Sequence, residues 1–278
     1  MPEQFYTTDA GQAQQLELDV RLPQVLSFGS QLLHGSVGLN AALPIYSAAG
    51  IRASSVPTIL LSNLPHYPSV QTLAVAPEWI RGALTDLAAT GALTDLWAVT
   101  SGYLAIPAQA EVVANWLEQR PASSQLKFVL DPTLGDADVG FYTDPAVGPA
   151  VREYLVPRAD VITPNLFELA QLSGAVTPPD GQDLSALVSM ARQLTDAGAK
   201  SVVVTGVPLD ADRVQNVVVT ASEVQVSSSP RLTTGAKGLG DVFTAGLTAA
   251  LVAGAELPEA VIRGAAQVNR AIEQRRLG

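Results

Sequence analysis

Gly235-Ala236-Lys237-Gly238-Leu239-Gly240-Asp241-Val242-Phe243 sets a glycine-rich turn and an aspartate at the entrance to an apolar stretch. Those residue types in that order suit phosphoryl transfer. Gly238 and Gly240 let the backbone approach a ligand closely or take a positive φ, and the first turn of the following helix offers unpaired N–H groups to an anion. Asp241, in the same turn, is placed to face a hydroxyl that attacks a phosphate. Ordinary capping by an acidic first turn produces the same pattern, so support must come from elsewhere in the chain.

That support lies just after the short apolar runs. Ser30, Ser101-Gly102-Tyr103, Asp131-Pro132, Thr163-Pro164-Asn165 and Thr205-Gly206 each follow such a run. Ligands of open α/β sheets bind outside the carboxyl ends of the strands, so these residues converge on one cleft with the glycine turn. In Thr163-Pro164-Asn165-Leu166-Phe167-Glu168 an amide and a carboxylate stand three residues apart. This is either a capping box or a pair facing a hydrated Mg²⁺ on ATP, and spacing alone leaves both readings open. Asp131 either holds metal or ends its strand in a turn with Pro132. His66 lies in the turn-rich loop Ser62-Asn63-Leu64-Pro65-His66-Tyr67, where it contacts substrate or solvent. Tyr103 covers a flat ring or simply packs, and the default for His34 is a surface or packing role.

The elements that must position these residues follow from periodicity. Apolar runs at 25–28, 55–59, 96–99, 127–130, 160–162 and 201–204 alternate with amphipathic segments at 77–89, 107–119 and 184–197. Such alternation predicts βαβ units and a mostly parallel sheet covered by helices. Residues 214–220 and 223–226 read as an antiparallel pair late in the sheet, which makes it mixed. The span 242–255 reads as a buried helix, too short at ~20 required residues to cross a bilayer, and 177–183 as a loop.

The 278 residues fit one large domain over 21–278, with 1–20, rich in Gln, Glu and Asp, as a flexible arm without the pattern of a secretory signal. A net charge of −10 argues against nucleic acid or an anionic membrane as partner. The absence of cysteine excludes disulfides, thiolate nucleophiles and cysteine metal sites, and fits a cytoplasmic setting. No HExxH, Walker A or GxSxG sequence is present, and the glycine turn comes too late to open a dinucleotide-binding fold.

Taken together, Ser30-Gln31 with Gly35-Ser36-Val37-Gly38, Val56-Pro57-Thr58, Leu61-Ser62-Asn63 with Pro65-His66-Tyr67, Thr100-Ser101-Gly102-Tyr103, Asp131-Pro132 with Gly135-Asp136, Thr163 to Glu168 and Gly238 to Asp241 keep a common order. In this the chain resembles the ribokinase superfamily and, within it, the pyridoxal kinases, over roughly residues 22–275. The resemblance implies a ribokinase-like three-layer α/β fold and ATP-dependent phosphorylation of the 5′-hydroxymethyl group of vitamin B6. It implies Asp241 as base, with N–H groups around Gly238 and Gly240 as an anion hole. Ser30, Thr58, His66 and Tyr103 would line the pyridine site. Asp131, Tyr142 and Glu168 would hold Mg²⁺ directly or through water. Thr163, Thr205 and the approach Lys237, Gly238, Leu239 and Gly240 would lie along ATP. A monovalent cation such as K⁺ and a homodimer are also common in the family.

Two departures stand out. Leu239 replaces the threonine common in the family's turn, which keeps the backbone donors and loses a hydroxyl, and His34 stands where a tyrosine is common. The competing readings are a hydroxymethylpyrimidine kinase of the same superfamily, a sugar kinase, which the pyridine-loop matches disfavour, and a non-catalytic vitamer-binding protein, supported only by Leu239.

Overall fold

The computed structural model describes residues 21–119, 125–175 and 177–277. The expected arm, 1–20, lies outside the described residues.

Among them, one nine-stranded sheet runs in the order β11-β10-β9-β8-β5-β4-β1-β2-β3. The parallel strands are β1 (Val25–Leu32), β2 (Ala53–Leu61), β4 (Ala98–Ser101), β5 (Lys127–Leu130), β8 (Val161–Ile162) and β9 (Ser201–Pro208). Antiparallel strands close both edges: β3 (Thr72–Ala74) on β2, then β10 (Arg213–Thr220) and β11 (Val224–Pro230) beyond β9. The mixed, mostly parallel sheet expected from the sequence is therefore present. A separate two-stranded hairpin joins β6 (Gly135–Asp136) to β7 (Gly140–Phe141).

Successive side chains of a strand point to opposite faces, and here both faces are apolar. Leu26, Phe28, Phe128, Leu130, Val202 and Val204 enter one core, beneath α2 (Pro77–Ala89), α3 (Pro107–Glu118), α5 (Leu166–Ser173) and α6 (Leu184–Asp196). The intervening Val25, Val129 and Val203 enter smaller cores on the other face, beneath α1 (Leu39–Ala48), α7 (Leu239–Val252) and α8 (Leu257–Leu277). A short α4 (Val147–Ala150) leads into a π-helical turn at Val151–Leu155. Proline opens α2 and α3, where its missing N–H removes no helical bond.

Several boundaries differ from the sequence reading. β1 continues to Leu32 rather than stopping at 28, because Ser30 and Gln31 still pair with β2. The pairing shifts register between Gly29 and Ser30, where Gly29 faces Pro57. A proline inside a strand has no N–H for the ladder, and a bulge accommodates it. Leu96 and Trp97 precede β4 instead of opening it. α7 begins three residues earlier than expected and ends at Val252, before Gly254 turns the chain at φ 88°. Among the described residues, no helix is long and apolar enough to cross a membrane.

Candidate active site

The polar strand ends and the glycine turn meet at the carboxyl edge of β1, β4, β5 and β8. Gly238, the N-cap of α7, has φ 81°, and a β-carbon on it would lie 2.6 Å from the carbonyl oxygen of Ser36. Conformation and space both demand glycine there. The N-cap glycine offers no side chain to cap α7, so the first-turn N–H groups have no N-cap side chain as partner. Gly38, the N-cap of α1, is equally constrained, with φ 57° and a would-be β-carbon 2.4 Å from the carbonyl of Ser30. The starts of two helices are thereby brought together, and a hydrogen bond joins them: the Gly38 N–H donates to Asp241 Oδ2 at 2.8 Å. Burial, and then the neighbouring Asp131 carboxylate, push Asp241 up to about 7, against the opposing pull of the Gly38 N–H.

Asp131 follows β5 and is buried. Its Oδ1 accepts from Thr133, from the N–H at 3.1 Å and from the hydroxyl at 2.8 Å, while Oδ2 accepts from the Thr244 hydroxyl of α7 at 3.1 Å. Burial raises Asp131, and these bonds oppose it. Thr163 shares a hydrogen bond of 2.8 Å with Thr244, extending the chain of hydroxyls towards β8. Glu168 sits in the first turn of α5 and forms the capping box: it accepts from Asn165 N–H at 3.0 Å, and Asn165 Oδ1 accepts from Glu168 N–H at 2.9 Å. Its other oxygen accepts from Leu134 N–H at 2.9 Å. Burial, and then Asp131, push Glu168 up to about 8. Glu168 is thus both a cap and a buried carboxylate electrostatically linked to Asp131.

Beside Asp241 opens a cavity of about 270 Å³, with Ser30, His66, Tyr103, Thr133, Tyr142 and Lys237 among its walls. A larger recess, about 600 Å³, lies at the far ends of α1 and α7 beside Arg263 and Gln267 and contains none of these carboxylates. The chemistry therefore belongs with the smaller cavity.

Ser30, His66, Tyr103, Lys237, Gly238 and Asp241 all reach that cavity. Thr58 does not. It is fully buried, with its hydroxyl donating to the Tyr103 carbonyl at 2.5 Å, and Gln109 donates to the Thr58 carbonyl at 2.8 Å. Thr58 touches the cavity only through the Tyr103 backbone. Tyr142 stands apart from Asp131 and Glu168 in its bonding: its ring lines the cavity, its hydroxyl donates to Asp136, and its carbonyl accepts from the Tyr103 hydroxyl at 3.3 Å. Burial and that bond raise the Tyr142 hydroxyl well above its ordinary value. Lys237 is paired with Asp136 at 3.2 Å, which links the β6–β7 hairpin to the glycine turn. Leu239 is the first residue of α7, and Thr205 lies within β9 with its N–H on the Pro164 carbonyl at 2.9 Å.

Thr133, Asp136 and Thr244 join the site although the sequence assigns none of them a role. Gly135-Asp136 belonged to a recognised motif, but nothing in residue type marked Thr133 or Thr244. Among the described residues, no three His, Asp or Glu side chains converge as a ready metal site. Asp131 and Glu168 nonetheless fit a cation, since both carboxylates are raised by burial and Glu168 further by Asp131, and a positive ion would favour their charged forms.

The phosphomethylpyrimidine kinase family model matches residues 34–278. A curated relative from Bordetella bronchiseptica, a pyridoxine/pyridoxal/pyridoxamine kinase, is 41% identical over 91% of this chain and 89% of its own. The solved pyridoxal kinase of Leishmania donovani in complex with ADP and pyridoxamine is 27% identical, with a TM-score of 0.76 over 85% of this chain and 81% of that one. The pyridoxal kinase of Entamoeba histolytica shares the fold at a TM-score of 0.83 over 91% and 90% of the two chains, with 23% identity.

Proposed function

This chain belongs to the phosphomethylpyrimidine kinase family, and we propose that it is a pyridoxal kinase, transferring the γ-phosphoryl group of ATP to the 5′-hydroxymethyl group of pyridoxal, pyridoxine or pyridoxamine. The observation that carries the reading is the placement of Asp241. A desolvated carboxylate, anchored by the Gly38 N–H, stands between the uncapped start of α7 and a cavity of about 270 Å³.

Asp241 orients the substrate hydroxyl and accepts its proton as the hydroxyl oxygen bonds to the γ-phosphorus and ADP leaves. A loose transition state asks little of the base until late, yet a carboxyl raised to about 7 is better matched to neutral pH than an ordinary one. The first-turn N–H groups of α7, at Leu239 and Gly240, face the transferring phosphoryl oxygens. Losing one such donor typically costs roughly 10²-fold. Ser30, His66 and Tyr103 border the ring site, and Thr58 supports it by fixing the Tyr103 backbone. Lys237, Thr163 and Thr205 lie along the nucleotide.

Asp131 and Glu168 would hold Mg²⁺, with Glu168 acting through water, because both of its oxygens already accept backbone N–H bonds. The ion supplies charge neutralisation on the phosphates. The role expected for Tyr142 moves to the cavity wall, where its ring faces the vitamer. The reading extends to a single catalytic domain over 21–278, a homodimer, activation by a monovalent cation such as K⁺ and a cytoplasmic setting. The domain and the setting rest on chain length and composition and the other two on the family resemblance, and sedimentation and a K⁺-for-Na⁺ exchange in the assay test the dimer and the cation.

The deciding experiment measures Mg·ATP-dependent transfer to the three vitamers, hydroxymethylpyrimidine and ribose, side by side. Transfer chiefly to the vitamers is the expected result. Preference for the pyrimidine would keep the mechanism and change the substrate, and tight vitamer binding without transfer would make the protein a binder.

A further inference from the structure

Thr133 has φ 43° and is the one residue other than glycine with a left-handed backbone among those described. That conformation is disfavoured for any residue with a β-carbon and most of all for a branched one. Glycine would adopt it without strain. The chain instead keeps a threonine there, on the wall of the cavity that holds Asp241.

What the threonine supplies is a second bond to one oxygen. Its N–H reaches Asp131 Oδ1 through a local turn, and its hydroxyl reaches the same oxygen at 2.8 Å. Glycine would give the first bond and not the second. Asp131 Oδ2 is left on the other side, accepting from Thr244 and 3.5 Å from the place a β-carbon on Gly240 would occupy. Oδ1 is thus held by the loop and Oδ2 by Thr244, and Oδ2 is the oxygen that lies beside the start of α7.

We propose that Thr133 is a positioning residue: its strained backbone and hydroxyl fasten Asp131 Oδ1 so that Oδ2 is turned towards the cation carried by the nucleotide. This rests on the metal role given to Asp131 above. Hydrogen-bonding partners of metal-binding side chains typically alter metal affinity by ~10–100-fold when removed, and a loop threonine whose N–H and hydroxyl converge on one carboxylate oxygen is such a partner.

The test is Mn²⁺ binding to the protein with ADP present, read from the paramagnetic resonance of free Mn²⁺. Thr133→Val keeps the shape and removes the hydroxyl, and Thr133→Gly removes both hydroxyl and strain. Both are expected to raise the Mn²⁺ Kd about tenfold, while Thr133→Ser, which keeps the hydroxyl, stays within about twofold of the unaltered chain. Thr133→Gly is expected to melt at least as high as the unaltered chain, because the left-handed strain is gone. A residue with a packing role alone would move the melting temperature and leave Mn²⁺ affinity where it was. Unchanged Mn²⁺ affinity in the Val and Gly variants overturns the proposal, and the Gly variant decides it alone if the Val variant does not fold. Asp131→Asn separates the two levels: if it leaves Mn²⁺ binding intact, the metal role of Asp131 fails and takes the proposal with it. If it weakens binding while the Thr133 variants do not, only the proposal fails.

Discussion

Replacing Asp241 by asparagine should trade turnover for stability, by an amount the site itself sets. Burial, and then Asp131, hold the Asp241 carboxyl at about 7, against an ordinary value of 3.8. A carboxyl raised in the fold contributes stability that is fully present below its unfolded value and is lost as pH rises through its folded value. The gap of about three pH units, at ~1.4 kcal/mol each, corresponds to about 4 kcal/mol of destabilisation at about pH 8. Water reaching Asp241 from the cavity screens part of this, leaving roughly 2–4 kcal/mol. Asparagine removes the charge and keeps an oxygen to accept the Gly38 N–H. With an unfolding entropy of ~2.1 cal/mol/K per residue over 278 residues, the variant should melt about 3–7 °C higher at about pH 8 and nearly level with the unaltered chain at about pH 4. Turnover should fall about 10²–10⁴-fold, with vitamer binding roughly intact. Melting curves at both pH values and steady-state kinetics on the same preparations check this. A variant that loses turnover yet melts no higher at the alkaline pH would show that Asp241 bears no desolvated charge. Unchanged turnover would remove it from the chemistry.

Glu168→Gln keeps a capping residue in the first turn of α5 and removes a buried charge, so its melting temperature should hold or rise while half-saturating Mg²⁺ increases about tenfold. A lower melting temperature with an unchanged Mg²⁺ requirement would leave Glu168 as a cap only. Gly238→Ala adds a β-carbon 2.6 Å from the Ser36 carbonyl at φ 81°, and should cost about 1–3 kcal/mol in denaturant unfolding together with most of the activity. Lys237→Met breaks the pair with Asp136, whose two side chains are 33% and 26% exposed; stability should change by less than about 1 kcal/mol, and the KM for ATP should rise several-fold more than that for vitamer if Lys237 lies along the nucleotide.

The parallel sheet was legible because runs such as Lys127-Phe128-Val129-Leu130 and Ser201-Val202-Val203-Val204 are apolar on both faces and separated by helices of the right length. The apolar run at 25–28 is shorter than β1 because Ser30 and Gln31 have the residue types of a strand's end, whereas their backbone still pairs and the bulge opposite Pro57 accommodates them. The hairpin of β6 and β7, two residues to a strand, is below any periodicity. At the site, glycines and acids at strand ends could be read because few residue types serve there. Thr58 and Tyr103 could not be ranked, since sequence does not say which side of a strand end meets the cavity and which meets α3. Thr133 was invisible for a different reason: its distinguishing property is a backbone angle that its residue type argues against.

The bond from Gly38 to Asp241 closes a loop of 203 residues. During synthesis at ~5–20 residues per second, the acceptor emerges roughly 10–40 seconds after the donor. Closing such a loop unaided would cost about 5 kcal/mol in chain entropy, so the contact must follow assembly of the sheet between its ends. Cavity walls from the early chain can therefore be present without the group that uses them. Recovery of turnover during refolding should then trail recovery of helical signal, making catalysis itself the last and strictest indicator that the whole chain has reached its native topology.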